Sequence, residues 1–113
     1  MQSRADRRQY LRLTRKFKID IRIIRNSMEI QGHTVDLSQG GAFVSTQYWS
    51  SVKKGDETEM RLFLPPDFSG QSRTLVLGGL ARVERVESDR EGIALQFIKE
   101  LRTFKVSADT FYH

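Results

Sequence analysis

Arg8 and Arg12 stand four residues apart, with Arg7 beside the first, in the run Arg7-Arg8-Gln9-Tyr10-Leu11-Arg12. A guanidinium is a planar fork of N–H donors. It grips a phosphate, or the O6/N7 edge of guanine, through two bonds at once, and its flat face stacks on a base. Three of them on one arm have the chemistry to wrap a nucleotide from several sides. Further along comes Asp36-Leu37-Ser38-Gln39-Gly40-Gly41. The Asp36 carboxylate can accept from guanine N–H groups or hold an arginine in place, and the Ser38 hydroxyl can donate to phosphate. Gly40 and Gly41 allow positive φ and let backbone N–H groups approach an anion closely. Each signal has an ordinary counterpart. Basic tails carry arginines four apart by chance, and Asp, Ser and Gly are the usual residues of tight turns.

The charge distribution favours the first reading of the arginines. The chain of 113 residues has a net charge of +5. Residues 1–18 hold Arg4, Arg7, Arg8, Arg12, Arg15, Lys16 and Lys18 against Asp6 alone, a local +6 that leaves −1 for everything after it. A local patch suits a compact anion better than a long nucleic-acid track. There is no cysteine, and the two histidines are His33 and His113, which excludes disulfide scaffolds, Cys-based metal or redox sites and His-rich metal sites. Residues 1–20 contain no apolar core of a signal peptide, and no apolar run approaches the roughly 20 residues of a membrane span. A cytoplasmic protein of one domain, without membrane contact, is the expectation.

The elements that must position these residues read as strands. Phe17, Ile19, Ile21 and Ile23 alternate with polar residues, as do Met60, Leu62 and Leu64, and later Ile93, Leu95 and Phe97. Met28 to Val35 reads as a strand interrupted at Gly32, and Ala42 to Ser45 as a short strand opened by the Asp36–Gly41 turn. Tyr48 and Trp49 fall in a loop, Lys53 to Asp56 in a turn, and Pro65-Pro66 stops the strand before it. Thr74 to Val86 reads as one long strand or two short ones, broken or bulged at Gly78-Gly79. Ser88 to Gly92 reads as a charged hairpin loop. Leu101, Phe104, Ala108 and Phe111 recur at helical spacing. The expected fold is mainly all-β: a six-stranded antiparallel barrel over 15–98, preceded by a flexible arginine-rich arm at 1–14 and followed by a short C-terminal helix at 99–113. Arg82 and Arg85 are three apart on one strand, so they are expected on opposite faces, one of them extending a binding surface.

An Arg-x-x-x-Arg arm, a strand pair, then Asp-x-Ser-x-x-Gly opening the next strand resembles the PilZ domain family. Gly79-Leu80-Ala81-Arg82-Val83 is similar to that family's central strand, and Gly92-Ile93-Ala94-Leu95-Gln96-Phe97 to its closing strand. The likeness runs over roughly residues 7–100. It implies a non-enzymatic receptor for cyclic di-GMP that uses no further cofactor and signals to a protein partner. By position, Arg8 and Arg12 would meet phosphate and guanine. Asp36 and Ser38 would meet guanine edges or fix the arginines, and Gly40 and Gly41 would shape the turn. Arg82 or Arg85 would be secondary. In this family an arginine at the Arg7 position goes with two stacked ligand molecules. Two other readings remain open: a barrel that binds single-stranded nucleic acid, and an interaction module of the same fold without a nucleotide. The −1 charge after residue 18 argues against the former, and the intact motifs argue against the latter. No residue set forms a catalytic site: Ser38 has neither a neighbouring histidine nor a Gly-x-Ser-x-Gly setting.

Overall fold

Alternating apolar residues bury one face of a strand, and a sheet of such strands hides that face most completely by closing on itself. The computed structural model, which describes residues 15–70 and 72–103, shows this closure. Its strands are β1 (Lys18–Ile23), β2 (Glu29–Leu37), β3 (Gly41–Ser45), β4 (Glu57–Leu64), β5 (Leu75–Glu87), β6 (Gly92–Phe97) and β7 (Arg102–Thr103). The sheet order is β4-β1-β2-β3-β6-β5-β7, every pairing is antiparallel, and β4 also pairs with β5. The first six strands therefore form a closed barrel, and β7 adds a two-residue clip to β5 at Leu77 and Gly78.

The inward set is the expected one. Ile19, Ile21 and Ile23 of β1, Ile30 of β2, Val44 of β3, Met60 and Leu62 of β4, Val83 of β5 and Ile93 and Leu95 of β6 are all buried, joined by Phe17. Burial of one such side chain contributes roughly 1.5–3 kcal/mol. Two buried threonines keep their hydroxyls satisfied. Thr58 donates to the Ala81 carbonyl at 3.2 Å. Thr34 accepts from the Phe17 N–H at 3.0 Å and donates to the Arg15 carbonyl at 3.2 Å. Thr34 thus ties residues 15–17, the first described residues of the chain, to β2.

Several expectations need correction. Gly32 does not interrupt β2: it pairs regularly with Ile19, and a Cβ there would collide with the Ser45 carbonyl oxygen. Gly78 and Gly79 do not break β5 either, since they pair in register with Arg61 and Met60. The irregularities fall elsewhere, between Thr34 and Asp36 on β2 and between Val83 and Arg85 on β5. The C-terminal helix does not begin at residue 99. Lys99 to Leu101 are non-helical and Arg102–Thr103 form β7, because Leu101 tucks against Gly79 and brings the chain back to β5. The rest of that expected helix, 104–113, and the arm at 1–14 lie outside the described residues. The regular helical segment α1 (Pro66–Ser69) begins within the diproline, with Pro65 as its N-cap and Pro66 at its first position. Among the described residues no helix is long and apolar enough to cross a membrane.

Candidate ligand cleft

A β-bulge inserts one unpaired residue and so flips the side-chain alternation beyond it. On β2 the inward residues before the bulge are even-numbered (Ile30, Gly32, Thr34), and the one after it is Leu37. Without the extra residue Val35, Asp36 would face the core. On β5, Ala81 and Val83 face inward, then Glu84 is inserted and Val86 takes the inward place. Arg85 is thereby turned outward. Arg82 is also exposed, so both arginines lie on the outer face and not on opposite ones.

Register then assembles a row across four strands. Asp36 pairs with Phe43, Phe43 with Ala94, and Ala94 with Arg85. Adjacent strands lie about 4.8 Å apart, so the row from Asp36 to Arg85 is on the order of 14 Å wide. Ala94 is small and leaves a shallow floor between them. The result is a cleft of about 330 Å³ bordered by Asp36, Ser38, Gly41, Phe43, Arg85 and Arg90 among others. That size is at the lower end of small-molecule sites.

The hairpin at its rim is tight. The Ser38 N–H donates to the Gly41 carbonyl at 2.9 Å, and the Ser38 hydroxyl approaches the same oxygen at 3.3 Å. This leaves a two-residue connection, Gln39–Gly40. The Phe97 N–H donates to the Gly40 carbonyl at 2.9 Å, fastening the turn to the end of β6. Neither Gly40 nor Gly41 uses the positive φ open to it; among the described glycines that conformation belongs to Gly55 and Gly70. Gly41 is required for space instead, because a Cβ there would strike the Leu95 carbonyl oxygen. Gly40 faces open space. With no side chain at this position, the turn backbone borders the cleft directly.

The opposite rim is basic but internally compensated. Arg85 Nε donates to Glu87 at 2.6 Å, and Arg90 Nη1 to the other Glu87 oxygen at 3.3 Å. The hydrogen bond from Arg85 holds the Glu87 carboxyl below its ordinary pKa, with Arg90 adding to the effect and partial desolvation opposing it. Arg82 instead reaches Glu57 at 3.4 Å on the neighbouring strand and does not border the cleft. Among the ionisable residues that line it, Asp36 and Glu84 offset Arg85 and Arg90. The cleft is therefore close to neutral, and strong attraction for a dianion requires additional cations.

Of the residues singled out in the sequence, the structure brings Asp36, Ser38, Gly40, Gly41 and Arg85 together. Arg82 stays apart, and Arg7, Arg8 and Arg12 lie outside the described residues. Sequence reasoning missed Phe43, Glu87 and Arg90. Arg90 sat unnoticed in a charged hairpin loop, since only register places that loop beside Phe43. No cluster of metal-ligating residues occurs among the described residues.

A barrel whose β2–β3 hairpin carries Asp-x-Ser-x-x-Gly beside an outward cleft defines a class. The sequence profile described as PilZ domain matches residues 6–104. The chain belongs to the PilZ domain family. No sequence among the curated proteins matches it. Among solved structures it is similar to the PilZ domain of CeSA from a cellulose-synthesizing bacterium, with 24% identity, a TM-score of 0.56, and coverage of 80% of this chain and 83% of that one. It is also similar to the Bacillus subtilis inhibitor of motility MotI/DgrA, with 20% identity, a TM-score of 0.64, and coverage of 90% of this chain and 44% of that one. At those identities the two structures attest the fold.

Proposed function

We propose that this domain is a non-enzymatic receptor for cyclic di-GMP, and that its basic N-terminal segment orders over the cleft on binding and presents a surface to a protein partner in the cytoplasm. The observation that supports this most directly is the position of the arm's root. Arg15 and Phe17 are bonded to Thr34, two residues before Asp36 on the same strand. Arg15 is further held through its Nη2, which donates to both Asp67 carboxylate oxygens at 2.9 and 3.0 Å, and by contact with the Phe17 and Phe68 rings. Arg12 is three residues from that anchor, within a reach of roughly 10 Å. Arg8 and Arg12 can then meet phosphates and guanines while Asp36 and Ser38 read guanine edges.

The near-neutral cleft fits a division of labour: the barrel supplies shape and base contacts, and the arm supplies charge. Charge-assisted hydrogen bonds contribute about 1.5–3 kcal/mol each. Micromolar affinity needs about 8 kcal/mol net, so a few of them suffice after the arm's ordering cost. Arg7 favours two stacked ligands over one. Calorimetric titration with cyclic di-GMP tests the reading. Wild type is expected to bind and Arg12→Ala to lose binding; no binding by the wild type, or equal binding by both, refutes it. Affinity for oligonucleotides that rises with length and falls steeply with salt would point instead to single-stranded nucleic acid.

A further inference from the structure

Arg90 ends the short turn Ser88–Arg90 between β5 and β6, and its side chain lies over Phe43 with Cζ 3.9 Å from the ring centroid. At that separation the guanidinium and the ring are in van der Waals contact, and the ring's quadrupole attracts the cation. Phe43 points outward yet is only 6% exposed. Arg90 covers it from above. Gly92 makes room for it from the side: a Cβ on Gly92 would come within 2.6 Å of the ring. Glu87 then accepts from one edge of the guanidinium, at Nη1. With one face on Phe43 and one edge on Glu87, the Arg90 side chain is still 46% exposed and borders the cleft. The surface it has left to offer is planar.

We propose that Phe43 and Arg90 form a preassembled stacking platform for a guanine of the bound nucleotide, with Glu87 as the positioning residue that holds Arg90 in place. The proposal rests on the reading of the cleft as a cyclic di-GMP site, and gives that site a base-stacking wall facing the Asp36 turn. A long flexible side chain normally loses much rotamer freedom when it engages a ligand. Here most of that ordering precedes binding, because the ring and the carboxylate already fix the guanidinium. Lysine offers a point charge and no plane, so it would keep the charge of this site and lose its shape.

The test is a titration of the whole chain with cyclic di-GMP, followed by calorimetry and by the ultraviolet absorbance of guanine, whose drop reports stacking. Wild type is compared with Arg90→Lys, Arg90→Gln, Glu87→Gln and Asp36→Ala. Arg22→Gln, which removes one positive charge on the far side of the barrel, is the control, and melting curves check folding. Arg90→Lys is expected to weaken binding about tenfold or more and to abolish most of the absorbance drop. Arg90→Gln, planar but uncharged, is expected to retain more of the drop than Arg90→Lys; the reverse order overturns stacking in favour of simple charge attraction. Glu87→Gln is expected to weaken binding a few-fold, and Arg22→Gln to leave it unchanged. If wild type binds, Asp36→Ala does not, and Arg90→Lys matches wild type in both signals, the platform is refuted while the receptor reading stands. If wild type does not bind, both fall.

Discussion

On β1 and β4 the outward residues alternate without interruption, and their charges meet in pairs across the ladder: Arg22 on β1 reaches Glu59 on β4, and Arg82 on β5 reaches Glu57 at the start of β4. Around the cleft, β2 and β5 each carry a bulge, and the charges are grouped, with Arg85 and Arg90 sharing Glu87. The first surface is what a barrel makes by default. Exposed cross-strand pairs of this kind contribute little, and nothing about them collects charge in one place. The second surface exists because two strands each contain one residue too many. Those insertions turn Asp36 and Arg85 outward at opposite ends of a row whose middle is Phe43 and Ala94. The difference is one of phase rather than composition: shifting alternation by a residue converts wall into site.

Substitutions can break this contrast or sharpen it. The largest effect is expected where the cleft depends on cations from outside itself. Arg8→Ala combined with Arg12→Ala should weaken cyclic di-GMP binding at least about a hundredfold by calorimetry, from the loss of charge-assisted contacts. Melting of the barrel should be little altered. Next is Gly41→Ala, which drives a Cβ into the β6 backbone at Leu95. It should destabilise the fold by roughly 3 kcal/mol in urea unfolding and impair the cleft with it.

A third test concerns the ordinary side. Asp56, 8% exposed, accepts from Arg25 at 2.9 Å through both oxygens and from the Lys53 N–H at 2.8 Å. Asp56→Ala should cost about 2 kcal/mol while leaving cleft residues in place. The Arg25 hydrogen bond lowers the Asp56 pKa below its ordinary 3.8, helped by the Lys53 N–H and opposed by burial. Its stabilisation is therefore complete above that ordinary value and is lost as pH falls through the lower folded value. Wild type and Asp56→Asn should accordingly converge in stability on acidification, as followed by unfolding at stepped pH. Smallest of all, Arg22→Ala should change stability by no more than about 0.5 kcal/mol and ligand affinity not at all.

Much of the barrel was readable because its strands obey a two-residue period. The isoleucines of β1 and the Met60, Leu62, Leu64 series of β4 face inward as their spacing requires. The turn at Asp36–Gly41 was readable from residue type. What escaped was the phase. Glycine suggested breaks at Gly32 and at Gly78–Gly79, yet all three pair in register, and Gly32 and Gly79 leave room for the Ser45 carbonyl and the Leu101 side chain. The real bulges sit at Val35 and Glu84, residues with no turn preference, and they are set by how four strands pair at once. Arg85 was therefore placed on the wrong face relative to Arg82. Phe43 and Arg90, 47 positions apart, meet only because β3 and β6 are neighbours, and a period within one strand carries no information about that. At the C-terminus, the short pairing of Arg102–Thr103 with β5 takes the first part of the expected helical segment into the sheet.

The β4–β5 seam makes the barrel a ring, and a ring of hydrogen-bonded strands has no slack. No strand can slide by one residue to register an arriving molecule, since a slip would turn its isoleucines and leucines to water and open the seam. The body of the domain behaves as an anvil. Whatever is struck on it must be felt at pieces that lie outside the ring, and two of these among the described residues are the root at Arg15 and the two-residue clip of β7. Both are fastened by a handful of bonds, one beside Asp36 on β2 and the other at Leu77 and Gly78 on β5.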